Sequence, residues 1–139
     1  MHMPNLFILR ETSPGETRVA ATPETIRSFI KAGVTVSIES GAGSASFIAD
    51  DEYRDAGALF APRAEGLAAA DIVASVAPPL PADVEHMKSG AIVIALLAPH
   101  SNVPLVRALM VRIQACRITV IWVLIVSGPP RISRLSRGS

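Results

Sequence analysis

The sequence predicts an α/β protein built on a parallel sheet flanked by helices, and three observations predict it. Half of the 139 residues are hydrophobic while only 4 % are aromatic, so the core is made of Ala, Val, Ile and Leu, as in the aliphatic strands of a parallel sheet. Residues 6–38 read in turn as strand, loop, helix and strand, the crossover that parallel neighbours require. Ala91-Ile92-Val93-Ile94-Ala95-Leu96-Leu97 is an unbroken apolar run of strand length, placed by its composition at the sheet centre.

The elements follow from local chemistry. Leu6-Phe7-Ile8-Leu9 is the first buried strand, and Ser13-Pro14-Gly15 puts residues 10–21 in a loop. That loop ends in Glu16-Thr17-Arg18-Val19-Ala20-Ala21-Thr22-Pro23, where Thr22 suits the N-cap and Pro23 the first helical position. Over 23–32, Ile26, Phe29 and Ile30 share one helical face, and Gly33 ends the helix. Val34-Thr35-Val36-Ser37-Ile38 alternates as a strand. Gly41-Ala42-Gly43-Ser44 behind it is a poor phosphate cradle, because the third glycine of a dinucleotide fingerprint would fall at Ser46. It reads as a turn needing positive φ or a close backbone approach.

Residues 50–56 form a short helix carrying Tyr53, 58–60 a brief edge strand, 62–70 an Ala-rich helix and 71–76 a strand ended by Pro78-Pro79. A helical turn is expected over 82–87, and a helix over 103–111 capped by Asn102. Residues 118–126 are a second long apolar run, broken by Ser127-Gly128-Pro129-Pro130 before a basic tail.

Composition narrows the chemistry. A net charge of +1, without a basic stripe or aromatic platform, argues against a nucleic-acid partner. The single cysteine, Cys116, suits a reducing compartment. No signal peptide is evident, and the run 118–126 is too short to span a bilayer. His2, His86 and His100 lack metal-ligand spacing. His100 lies on a strand-end loop, where a solvated role is favoured, and Ser75 is expected to bond locally. Arg18 has two readings: a guanidinium fork for a carboxylate or phosphate, or a partner of Glu16 or Glu11, the latter slightly ahead. Arg131 and Arg134 flank Ser133, as an anion site or as a solvated tail.

A set of segments then occurs in order: Arg10-Glu11, residues 16–23, Val36-Ser37-Ile38-Glu39-Ser40-Gly41-Ala42-Gly43, residues 53–58, residues 71–76 with Pro79-Leu80, and Pro130-Arg131-Ile132-Ser133-Arg134. Together they resemble the N-terminal part of the alanine dehydrogenase and proton-translocating nicotinamide nucleotide transhydrogenase family. The likeness covers most of 6–110 and returns at 130–134. It implies a Rossmann-like (flavodoxin-like) parallel sheet over a domain at 1–128, with 129–139 a basic tail at the start of an NAD-binding domain.

Within that resemblance, the dehydrogenase branch carries a substrate-binding lysine just after the strand at 72–76 and a catalytic histidine at the end of the next core strand. This chain has Ala77 and Ala98 there. The Pro-Arg-Ile-Ser-Arg sequence looks like the transhydrogenase branch. The resemblance therefore implies a proton-translocating NAD(P) transhydrogenase α subunit, with Arg131, Ile132 and Ser133 as NAD(H)-binding positions and Arg18 in the substrate or interdomain cleft. It carries no catalytic residue over to this chain. NADP(H) would sit on the partner β subunit, with a membrane subunit as further partner, a homodimeric state, and a cytoplasmic location peripheral to the inner membrane.

Ser136 stands where the family has glutamine, residues 111–128 depart from the pattern, and no glycine-rich domain follows. A truncated or frame-disrupted copy, binding NAD(H) weakly or not at all by itself, is the resulting expectation. The other reading is a non-catalytic α/β binding or assembly module that takes an anionic ligand or partner at its Arg18 and Arg131 loops.

Overall fold

The computed structural model describes residues 3–95, Pro104, Arg107, and the backbone of one further strand at Thr119–Trp122. The strands are β1 (Asn5–Ile8), β2 (Thr35–Ile38), β3 (Leu59–Phe60), β4 (Ile72–Ala74), β5 (Ile92–Ala95) and β6 (Thr119–Trp122). The helices are α1 (Pro23–Lys31), α2 (Asp50–Asp55), α3 (Arg63–Ala69) and α4 (Pro81–His86), with a 3-10 turn at Ser44–Ser46.

All six strands pair in parallel, in the order β3-β2-β1-β4-β5-β6. The expected Rossmann-like sheet is present. Its order is that of doubly wound dinucleotide folds, not the 2-1-3-4-5 order of flavodoxin-like sheets, and the winding reverses between β1 and β4. The sheet centre is therefore β1 and β4. The apolar run of β5 lies one place farther out, between β4 and β6. An unbroken apolar run reports burial on both faces, which every interior strand shares, so it cannot rank strands by centrality. The brief strand β3 is at the edge, as expected.

Alternation along β1 divides the core. Leu6 and Ile8 join Ile26 of α1, Tyr53 of α2, and Val36 and Ile38 of β2. Phe7 and Leu9 join Leu67 of α3, Val84 of α4, Met87, and Val73 and Val93 of β4 and β5. Helices thus cover both faces, α1 and α2 on one and α3 and α4 on the other. The second face depends on Gly66: a Cβ there would lie 2.2 Å from the Phe7 ring, so only glycine lets α3 settle onto β1.

Helix α1 begins as its sequence indicates. Thr22 Oγ1 accepts from the Thr25 N–H at 3.3 Å, and Pro23 occupies the first turn. Its apolar face is narrower than the spacing suggests. Ile26 is fully buried, but Phe29 and Ile30 each stay 37 % exposed. Ile30 points its terminal methyl at Gly57, behind α2, and not into the sheet. Pro81 opens α4 instead of preceding it, as a residue without an N–H can.

Of the helix expected over 103–111, Pro104 and Arg107 are helical and the rest lies outside the described residues. Among the described residues, no helix is long and apolar enough to cross a membrane.

Candidate functional site at the reversal of the sheet

Parallel strands present their C-terminal ends on one rim, and the loops leaving β1 and β4 diverge there to leave a crevice. The β1–α1 loop brings Arg10, Glu11, Glu16 and Arg18 to this rim. The β4–α4 loop brings Ser75 to Pro79, and the segment after β2 brings Glu39 to Ala45.

Glu11 fastens the first two loops together. Its Oε1 accepts from the Val76 N–H, and its Oε2 accepts from the Ala77 N–H at 3.0 Å. Ser75 donates its hydroxyl to the Ala77 carbonyl at 2.7 Å, the local bond its position suggested. Position 77 therefore brings a methyl group and two engaged backbone groups to the crevice, and no cation.

Arg63, the first residue of α3, ties the rim from the other side. Its Nε and Nη2 fork onto the two oxygens of Asp83, each at 2.7 Å. Its Nη1 donates to Glu39 Oε2 at 2.9 Å and to the Arg10 carbonyl at 3.1 Å. The two carboxylates in turn hold backbone: Glu39 accepts from the Arg10 N–H at 2.9 Å, and Asp83 from the Leu80 N–H at 2.8 Å. Burial pushes the Asp83 carboxyl up, but the Arg63 fork and the Leu80 N–H outweigh it, so the group titrates below its ordinary range. Arg63 is held still more firmly protonated by its hydrogen bonds to Asp83.

The glycines after β2 form the expected turn. Gly41 has φ +78°, and a Cβ on Gly43 would lie 2.6 Å from the Tyr53 ring. Asp50 closes the turn, accepting from the Ser40 hydroxyl at 2.6 Å and the Gly41 N–H at 2.9 Å, and these bonds lower its carboxyl pKa. Tyr53 donates to the Ala21 carbonyl at 2.9 Å and so joins α2 to the end of the β1–α1 loop. Ser46 Oγ donates to the Thr17 carbonyl and joins the same loop to the 3-10 turn.

Arg18 pairs with Glu16, one of the two acids weighed for it. Nε donates to Oε1 at 2.8 Å and Nη2 to Oε2 at 2.9 Å, while the Arg18 backbone N–H also reaches Oε1 at 3.0 Å. These bonds pull the Glu16 carboxyl down to about 2. The Arg18 side chain remains 63 % exposed, at the lip of a cleft of about 130 Å³ lined also by Arg10, Glu11, Gly41 and Ser44. A much smaller hollow, of about 10 Å³, lies across Arg10 and Glu11 and is lined by Ser75, Ala77, Pro78 and Pro79. Arg18 and position 77 thus line two hollows that share Arg10 and Glu11.

The rim does not fit a dinucleotide pyrophosphate. A Rossmann site offers that group the free N–H groups of a glycine-rich turn directly after β1. Here that place holds Glu11, a carboxylate already bonded to the nearest backbone N–H pair. Among the described residues, no group of His, Cys, Asp and Glu could hold a metal ion. The positions expected to bind NAD(H), Arg131, Ile132 and Ser133, lie outside the described residues, as do His100, Ala98 and Cys116.

Sequence reading found Arg18 and weighed Glu11 only as its partner, and it gave no role to Glu39, Arg63 or Asp83. Weak signals existed. Arg63 follows Pro62 at a helix start, and Asp83 is the third residue of α4, a capping position. Their pairing across 20 residues leaves no local pattern.

Comparison with known proteins agrees with this architecture. Residues 7–121 match the alanine dehydrogenase/PNT N-terminal domain. The chain is 34 % identical over 129 residues to the NAD(P) transhydrogenase subunit alpha of Cereibacter sphaeroides, covering 92 % of this chain and 23 % of that protein. It is 37 % identical over 102 residues to an alanine dehydrogenase of Methanococcus maripaludis, covering 73 % of this chain and 27 % of that one. Among solved structures, a transhydrogenase from Sinorhizobium meliloti superposes with a TM-score of 0.75 at 32 % identity, covering 85 % of this chain and 34 % of that one. An L-alanine dehydrogenase superposes with a TM-score of 0.72 at 29 % identity, covering 85 % of this chain and 32 % of its own. The chain spans less than a third of the length of these two curated relatives. With the greater part of its length matched and the same parallel fold, the chain belongs to the alanine dehydrogenase/PNT N-terminal domain family.

Proposed function

We propose that this domain serves the transhydrogenase branch of its family, as the N-terminal domain of a proton-translocating NAD(P) transhydrogenase α subunit. In that role it forms one wall of the site where hydride passes between NAD(H) and NADP(H). The observation that supports this reading is the chemistry at Ala77. By the family resemblance, the dehydrogenase branch carries a substrate-binding lysine at this place. This chain instead supplies a methyl group beside the Glu11 carboxylate.

On this reading NAD(H) is held mainly by a second domain, because the rim after β1 presents Glu11 where pyrophosphate would need donors. Arg131, Ile132 and Ser133 are this chain's contribution to that site. NADP(H) is held by the partner β subunit, and a membrane subunit carries the protons. The assembly is a homodimer of α subunits, peripheral to the inner membrane.

Two measurements test the reading. Calorimetric titration of the chain with NADH is expected to show little or no binding, and tight binding contradicts it. Co-expression with tagged transhydrogenase β and membrane subunits is expected to retain the chain on the affinity resin. Failure to associate, together with binding of an unrelated carboxylate or phosphate, supports instead a stand-alone anion-binding or assembly module.

A further inference from the structure

Three of the loops that shape the rim meet at one side chain, which bonds to neither Arg18 nor position 77. Arg63 bonds to the Arg10 carbonyl at the start of the β1–α1 loop, to Glu39 at the end of β2, and to Asp83 in the first turn of α4. Both carboxylates pass the restraint on to backbone. Glu39 holds the Arg10 N–H, so Arg10 is gripped at its N–H and at its carbonyl by one ion pair. Asp83 holds the Leu80 N–H, which fixes where the proline-rich β4–α4 loop enters its helix.

The fork sits in a place where water cannot replace it cheaply. The side chains of Asp83, Glu39 and Arg63 are 6 %, 20 % and 23 % exposed. Charge-assisted bonds in such surroundings are strong and directional, and a planar guanidinium can serve three acceptors at fixed angles where an ammonium cannot.

We propose that Arg63 is the positioning residue of the crevice. Through Glu39, Asp83 and the Arg10 carbonyl it sets the spacing of the β1–α1, β2 and β4–α4 loops, and so the geometry in which the rim meets whatever it binds. That the rim serves hydride transfer rests on the function proposed above. That Arg63 fixes the rim does not.

Amide hydrogen exchange on the full chain separates positioning from bulk stability. Arg63→Gln removes the fork, and Arg63→Lys keeps the charge without it. In both, exchange at the Arg10 and Leu80 amides is expected to rise by about tenfold or more, the scale of one charge-assisted bond. The strand amides of Phe7 and Val73 are expected to rise by less, and no further than the loss of global stability measured in urea accounts for. An equal rise at all four amides overturns the proposal, because Arg63 would then be only one more stabilising contact. No change at Arg10 and Leu80 overturns it as well. If Arg63→Gln does not fold, Asp83→Asn is read at the Arg10 amide, which Asp83 does not itself hold: a rise there supports the coupling through Arg63, and no rise overturns it. Loss of hydride transfer in the unmodified assembly would overturn the proposed function and leave the exchange pattern, and this assignment, standing.

Discussion

The Ala77 N–H donates to Glu11 Oε2 at 3.0 Å, joining the loop after β1 to the loop after β4 across the line where the sheet reverses. The neighbouring Val76 N–H takes the other oxygen of the same carboxylate. Glu11→Ala leaves both donors without that acceptor and should cost about 1–3 kcal/mol. Urea denaturation reads this directly. Glu11→Gln keeps one good acceptor and should recover part of the loss.

Acid should weaken the fold through carboxylates that titrate low. Asp83 and Asp50 lie below their ordinary value of 3.8, and Glu16 is drawn from 4.5 to about 2. Groups whose folded pKa is depressed contribute fully above the unfolded value and lose that contribution as pH falls through the folded one. Melting temperature is therefore expected to be level above the ordinary values and to fall as pH drops below them toward 2. Asp83→Asn should lower stability at neutral pH by about 3 kcal/mol, the low end for breaking a buried pair that water partly reaches, and should flatten the acid slope.

Gly66→Ala tests the contact between α3 and β1. Alanine favours a helix over glycine by about 1 kcal/mol. The added methyl, however, would sit 2.2 Å from the fully buried Phe7 ring. Overpacking of this kind costs about 1–3 kcal/mol, so the net change should be destabilising. Pairing Gly66→Ala with Phe7→Leu should relieve part of it. A stabilised single variant in thermal denaturation would show that α3 does not rest on Phe7.

Arg18→Ala separates cleft chemistry from folding. The Arg18–Glu16 pair is exposed on the arginine side, and such pairs add little to stability. The melting transition should stay where it is, while hydride transfer in the assembled enzyme falls. Equal activity with and without the guanidinium would remove Arg18 from the functional cleft.

The legible and illegible parts of this protein divide along physical lines. Thr22 and Pro23 announce α1 because capping is a local contact, and Gly41 and Gly43 announce a turn because one needs positive φ and the other lacks room for a Cβ. The parallel sheet was legible in its aliphatic runs, but its centre was not, since β5 is as apolar as strands nearer the middle. The partial exposure of Phe29 and Ile30 depends on where α2 lies, which periodicity within α1 does not contain. Arg18 stood out as a cation beside a helix start. The Arg63, Glu39 and Asp83 cluster did not, because its members come from three separated segments that only the strand order brings together.

The central claim is that this domain works in hydride exchange between two nicotinamide nucleotides and not in amino-acid oxidation. The most direct measurement combines the chain with the glycine-rich NAD-binding domain and the β and membrane subunits of a transhydrogenase relative, supplied as separate polypeptides. Reduction of an oxidised NADP analogue by NADH is followed in parallel with reduction of NAD by alanine. The account predicts exchange between the nucleotides that depends on this chain, and no alanine-dependent reduction. Alanine-dependent NAD reduction, with no exchange between nucleotides, would contradict it.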